Sequence, residues 1–298
     1  MLGNDYVYGT CPLGNNILNK ISLIRGSKGN VGNNTDLDTV VLSNAKLLRG
    51  INFSSTRDYT VLQTDRGAIV DKNSYMFQPE SLDLMVYSLE SMDYLKRFIR
   101  SNISNLVMKL EFDTKTLFCD VIFDSDTFEV FTVLDKWSIR LLRTSMYYTI
   151  KKYDFYNDYD SYLSGTYIKS IVNAGDVQGD IQVFLNLHEY EGIKITQIYD
   201  ADASEVAFNS LELYKPYVAS AFPSEIKYSS VIGDYYIREK IQGYPDYTDI
   251  STYREFTSKG YITIGQGDVE LRLEGLSKSG VYTDEYLEVF IYEYYHNI

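Results

Sequence analysis

Two histidines, two cysteines, five prolines and one tryptophan are all that these types contribute to 298 residues. His188 and His296 lie far apart, and neither has the neighbours of a triad or a zinc site, so neither is expected to be catalytic or ligating. No Gly-x-Ser-x-Gly, His-Glu-x-x-His or Cys-x-x-Cys occurs, which argues against nucleophile-elbow hydrolases and the common zinc sites. Cys119 sits in the apolar stretch Leu117–Phe123 and reads as a small buried strand residue; it and Cys11 are expected to be free thiols. No apolar run reaches eighteen residues. The N-terminus, Met1-Leu2-Gly3-Asn4-Asp5, lacks the basic and apolar regions of a secretion signal, so a soluble chain with no membrane association is expected. Positive charge is scarce too: 28 Lys and Arg against 41 Asp and Glu leave −13, which opposes attraction to nucleic acid or anionic lipid.

What is abundant is aromatic. Twenty-nine Tyr and 14 Phe suit pleated, half-buried surfaces, and the length allows about two domains, each with its own core. The Gly/Asn-rich segment Gly26–Asn34 reads as a loop, because its glycine spacing fits neither a phosphate loop nor a dinucleotide fingerprint. From Ser74 to Tyr87 the pattern alternates, with Leu82, Leu84 and Val86 on one face. The period then changes: Leu89, Met92, Leu95, Phe98 and Ile99 predict one amphipathic helix of about three turns, ended by Asn102. Alternation resumes at Met108–Phe112, Cys119–Phe123 and Phe131–Leu141, so the first half reads as a β-sandwich or α+β domain. Lys151–Gly165, mixing Tyr and Phe with Asp and Asn, reads as an interdomain connection. Beyond it, Ile181, Val183, Leu185 and Leu187 alternate with Asp180, Gln182 and Asn186, and Val269, Leu271 and Leu273 with Glu270, Arg272 and Glu274. Frequent Gly and Pro break this half into short strands, the signature of an antiparallel sandwich.

Acidic clusters are the remaining candidates for chemistry. Asp200-Ala201-Asp202 opens like a calcium loop, but Glu205 stands where such a loop needs Gly and Leu211 where it needs Glu. Asp124-Ser125-Asp126 is read as a hairpin turn. No catalytic residue, cofactor or metal ligand is therefore assigned, and the chain is expected not to be an enzyme. Many short strands with open edges describe instead an assembly component, whose head-to-tail contacts close a ring when the rotation divides the circle.

Gly67-Ala68-Ile69-Val70, Gln78–Leu84, the helix ending Tyr94–Ile99, Leu117–Phe123 and Lys136-Trp137 follow one another in the first half. Gly165–Tyr167, Asn173–Asp176, Asp180–Val183 and Gly267–Lys278 follow in the second. In these stretches and their order the chain resembles the distal tail (Dit) proteins of long-tailed bacteriophages. The resemblance implies a mainly β protein: an N-terminal ring (belt) domain, 1–148, completed by the last strand, 285–298; a linker, 149–164; and a galectin-like β-sandwich, 165–284. It further implies a homo-oligomeric, hexameric ring in the virion tail tip, assembled in the host cytoplasm. The ring's partners would be a tail tube protein, a tail-associated protein and a receptor-binding protein. Phage DNA would pass without specific binding, repelled by an acidic lumen. Phe53, Tyr59, Tyr75 and Phe77, aromatics before the helix, are the candidate subunit contacts. The His, Asn-Pro-Arg and Trp set of true galectins is missing from the second half, so protein docking is the role expected there. The alternative reading is a carbohydrate-binding module or adhesin using Tyr153, Phe155, Tyr156, Tyr159, Tyr244 and Tyr247. A carboxylate-dependent glycosidase is a third.

Overall fold

A computed structural model describes residues 18–33, 38–42, 45–47, 56–57, 60–64, 67–71, 75–76, 79–87, 92–129, 136–154, 166–186, 192–199, 206–214, 223–241, 243–254, 261–276 and 287–295. The chain divides into two units, Met1–Tyr148 with Tyr295–Ile298, and Thr149–Tyr294. The fold is mainly β, as the alternation predicts, and no described helix is long and apolar enough to cross a membrane.

The first unit opens with β1 (Leu18–Arg25), α1 (Lys28–Asn33), β2 (Thr39–Val41) and β3 (Ala45–Leu47). Next come β4 (Thr56–Arg57), β5 (Thr60–Thr64), β6 (Gly67–Asp71) and β7 (Tyr75–Met76), where β5 pairs with β6 and β4 with β7. β8 (Glu80–Tyr87), α2 (Met92–Ser101), β9 (Leu106–Phe112), β10 (Thr116–Glu129), β11 (Lys136–Arg143) and the start of β12 (Tyr147–Asp154) complete it. Antiparallel pairing sets the order β2-β1-β9-β10-β11-β8-β3. Alternation sends Leu82, Leu84 and Val86 of β8 and Trp137, Ile139 and Leu141 of β11 into one core, opposite one another in register. Ile21 and Leu23 of β1 reach the same core, as do Leu106, Met108 and Leu110 of β9, so the sheet curves round it. α2 lays Leu95, Phe98 and Ile99 on that core, the i, i+3, i+4 stripe of an amphipathic helix. Its end is capped as expected from Asn102, whose side-chain amide donates to the Phe98 carbonyl at 2.8 Å.

Two local expectations fail in this unit. The Gly/Asn-rich segment is not all loop, since Lys28–Asn33 forms a short helix. Glycines disfavour it intrinsically, but Lys28 is buried, with its ammonium 3.7 Å from Asp120 and 5.1 Å from the Tyr148 ring centre, so tertiary anchoring offsets the weak propensity. Asp124-Ser125-Asp126 is not a turn either. It lies inside β10, where the register against β11 shifts between Phe123 and Ser125, a bulge that absorbs the extra residue and lets the strand run on.

Around Asp120 the unit holds a polar cluster. The Tyr148 hydroxyl donates to Asp120 Oδ1 at 3.1 Å, and the Asp120 amide donates to Ser145 Oγ at 2.8 Å. Burial pushes the Asp120 carboxyl above its ordinary value, although Lys28, Tyr148 and Ser145 each pull it back. A carboxyl raised in the folded state favours folding below the unfolded pKa of about 4 and loses that contribution as pH climbs through the raised value. Wild type is therefore expected to gain most over Asp120→Asn below about pH 4, with the advantage shrinking toward pH 7. Urea midpoints of both proteins across that range check it, and a gap that does not change with pH refutes the shift.

The second unit contains the rest of β12 and then β13 (Thr166–Asn173), β14 (Gly179–Asn186), β15 (Gly192–Tyr199), β16 (Val206–Tyr214), β17 (Pro223–Ser229), β18 (Tyr236–Ile241) and β19 (Tyr247–Asp249). β20 (Thr263–Ile264), β21 (Gly267–Leu276) and β22 (Leu287–Tyr295) close it. One sheet runs β13-β21-β15-β16; in the other, β14 is flanked by β22 and by β17, followed by β18 and β19. Ile171, Ile195, Leu211, Val269, Leu271 and Leu273 from the first sheet meet Ile181, Val183, Leu185, Ile226, Ile237, Val289 and Ile291 from the second in one core, which makes this unit a β-sandwich. Glycine is required where the lead into β14 passes β22: a Cβ on Gly179 would stand 2.5 Å from the Tyr292 carbonyl oxygen, and one on Gly175 2.7 Å from that of Tyr294.

Two segments bear on the expected domain boundaries. Residues 149–154, read as linker, lie in β12. The last strand, expected to complete the first domain, pairs with β14 through Leu287–Tyr292, and only Tyr295 onward belongs to the first unit. The reason is visible in its pattern, since Val289 and Ile291 match the core face of β14. Tyr295 alone packs against the first unit's core, with the Lys115 ammonium 3.4 Å from its ring centre.

Candidate interaction surfaces

Tyrosines do much of the closing of the second unit. Asp180 and Gln182 point away from the sandwich core, where alternation predicts a wet polar face, yet both are buried. The reason is that Tyr292 donates its hydroxyl to Gln182 Oε1 at 2.8 Å and Tyr294 donates to Asp180 Oδ2, while Gln182 Nε2 donates to Ser229 Oγ at 3.3 Å. Each ring buries apolar area and its hydroxyl donates to a buried acceptor, a bond that a Phe would not make. Phe184 and Phe290 meet edge to face beside them, with ring centres 5.6 Å apart. This part of the sheet face is therefore closed by its own side chains.

The aromatics considered for sugar stacking do not assemble a platform among the described residues. Tyr153 packs against the second unit's core. Tyr247 donates its hydroxyl to Glu225, and the Lys227 and Lys240 ammoniums lie 4.4 and 5.8 Å from its ring centre. Burial and the Glu225 carboxylate push the Tyr247 hydroxyl well above its ordinary pKa. Tyr244 is exposed on the turn after β18. Phe155, Tyr156 and Tyr159 lie outside the described residues, as do His188, His296, Cys11 and Asp200–Ser204. Among the described residues no group of three His, Cys, Asp or Glu comes together as a metal site. Cys119 is buried, as read from its apolar run.

Of the candidate subunit contacts, Tyr75 lies on β7 opposite Arg57 of β4, while Phe53, Tyr59 and Phe77 lie outside the described residues. A surface that the aromatic count did not single out lies on the first unit. Arg25 and Asp38, at the paired ends of β1 and β2, face Tyr94, Arg97, Phe98, Arg100, Ser101 and Asn102 of α2 and its cap across an open groove of about 600 Å³. Arg25 Nη1 meets Asp38 Oδ2 at 3.2 Å, and Arg100 lies 4.0 Å from Asp126. Arg97 Nε donates to the Asp93 carbonyl at 3.2 Å, and among the described residues its guanidinium pairs with no carboxylate. Tyr94 is 56 % exposed on the lip, with its ring centre 6.3 Å from that of the buried Phe98. The signal in the sequence is Lys96-Arg97 and Arg100 in α2, three cations close together in an acidic chain. Arg25 and Asp38 join them only through the pairing of β1 with β2.

No family model matches the sequence, and no curated protein matches it. Its fold does match solved structures. A chain of the phage P2 baseplate in its activated conformation with Ca superposes with a TM-score of 0.61 at 10 % identity, covering 94 % of this chain and 99 % of that one. The fold is that of a phage baseplate chain. The same baseplate in its activated conformation with Sr gives the same TM-score, identity and coverage. The SPP1 Dit protein, described as a paradigm of the hub adsorption apparatus in phages infecting Gram-positive bacteria, aligns at a TM-score of 0.48 and 9 % identity, over 85 % and 92 % of the two chains. With 94 % of this chain aligned, the likeness reaches into both of its units.

Proposed function

We propose that this chain is a structural subunit of a phage tail tip, a distal tail protein whose copies close a hexameric ring between the tail tube and the host-attachment proteins. The observation that carries the reading is the match to a baseplate chain over nearly the full length of both proteins. In this reading the first unit forms the ring, with Phe53, Tyr59, Tyr75 and Phe77 at subunit contacts, and the second unit is an arm for a receptor-binding protein. The chemistry is contact, with no bond made or broken. The acidity of the chain fits a lumen through which DNA passes without sticking, since like charge repels the phosphates. The carbohydrate-binding alternative gains no support from Tyr247, whose ring lies beside two lysine ammoniums and whose hydroxyl donates to Glu225.

Native mass spectrometry and negative-stain microscopy of the purified full chain test the reading. The expected result is a discrete cyclic oligomer of six copies, visible as a ring. A chain that stays monomeric at high concentration overturns it, as does hydrolysis of a glycan that a single Asp or Glu substitution abolishes.

A further inference from the structure

We propose that the arginine-lined groove beside α2 receives an acidic surface of a second copy of this chain. The inference rests on the ring reading and names the face by which one copy grips the next. Among the described residues three guanidiniums, from Arg25, Arg97 and Arg100, line one groove with the carboxylate of Asp38, in a chain of net charge −13; Arg25 pairs with Asp38 and Arg100 lies 4.0 Å from Asp126, while Arg97 pairs with no described carboxylate. Helix stability explains only part of this. Arg100 complements the partial negative charge at the C-terminal end of α2, but Arg97 stands a turn earlier, and Arg25 belongs to another element. The two ion pairs present are solvent-exposed, with the Arg25 and Arg100 side chains 58 % and 67 % exposed, and pairs of that kind contribute little to folding. Gathering three arginines on one face for so little gain to the fold points to a partner of opposite sign. Tyr94 and Phe98 line the same groove, and Tyr and Arg are the residue types concentrated where interfaces derive most of their energy.

The occupant follows from charge. Two copies of a chain with 41 acidic and 28 basic side chains repel one another unless a local patch reverses the sign. A head-to-tail ring joins two different patches, one from each neighbour, so a cationic face on one copy needs an acidic face on the next, and acidic side chains are what the remainder of the chain has in excess.

The test uses the full chain and the double variant Arg25→Glu with Arg97→Glu, alongside Tyr94→Ala. Circular dichroism and the thermal midpoint establish that the variants fold. If the groove is the contact, the double variant needs about 10- to 100-fold higher concentration than wild type for half-assembly. Raising salt to about 1 M, where the screening length falls to about 3 Å, weakens the wild-type ring in the same direction. Mixed with wild type, the double variant still offers its acidic face but not its groove, so it terminates chains and converts rings to open arcs. A double variant that rings at the wild-type concentration with the wild-type salt dependence overturns the inference and leaves the ring reading intact. A wild type that never assembles overturns the ring reading, and this inference with it. Binding of a short DNA duplex by wild type that the double variant loses while its ring persists also overturns it, because the guanidiniums then serve phosphate.

Discussion

Replacing Trp137 with alanine is expected to lower the stability of the first unit by about 3–5 kcal/mol, the range for emptying a buried aromatic site. The indole is fully buried on β11 between Val86 of β8 and Phe128 of β10 in register, and its Nε1 donates to Asp126 Oδ2 at 3.0 Å. Two effects are removed together, the packed ring and the hydrogen bond, and the ring dominates. Trp137→Phe keeps most of the packing and loses only the bond to a carboxylate that is itself partly exposed, so it is expected to cost about 1–2 kcal/mol. Because this is the only tryptophan, unfolding has to be followed by far-ultraviolet circular dichroism in urea. Equal losses for the two variants show that the hydrogen bond, and not the volume, matters most.

The second large effect is expected in the other unit, at the pair Lys151 and Glu293. The Glu293 side chain is 1 % exposed and accepts from Lys151 Nζ at 2.6 Å, Thr149 Oγ1 at 3.0 Å and the Ala174 amide at 2.9 Å. The Lys151 side chain is 40 % exposed. The two ends of the pair are therefore not equivalent. Lys151→Met leaves a carboxylate in the interior without that ammonium and is expected to cost about 3 kcal/mol. Glu293→Gln lets the ammonium turn to water and keeps a carbonyl for the Ala174 amide, so about 1–2 kcal/mol is expected. Urea unfolding of both variants checks the order, and a larger loss from Glu293→Gln contradicts it.

Sequence periodicity was informative where a face is purely apolar. Leu95, Phe98 and Ile99 mark α2, and Leu82, Leu84 and Val86 mark β8, because burial against a core imposes the period of the element. It failed where distant residues decide. α1 depends on Lys28 reaching Asp120, some ninety positions away, and Gly and Asn carry no trace of that. Asp180 and Gln182 read as solvent-facing because the tyrosines that cover them come from β22, at the far end of the chain. The candidate interaction surface was the least legible. Aromatic count directs attention to Tyr and Phe, whereas the groove joins Arg25 to Arg97 through strand pairing and helix packing, neither of which is a local property of the sequence.

The hydrogen bond from Thr149 to Glu293 places the first residue of the second unit beside its last but one. A segment whose entry and exit coincide behaves as a cassette: its removal or exchange disturbs its host at a single junction instead of two. Exchange of residues 149–294 is then expected to disturb the rest of the chain mainly where β12 enters and β22 leaves. Under the proposed tail-tip reading, the arm unit can then diversify at its own pace while the ring-forming unit stays constant.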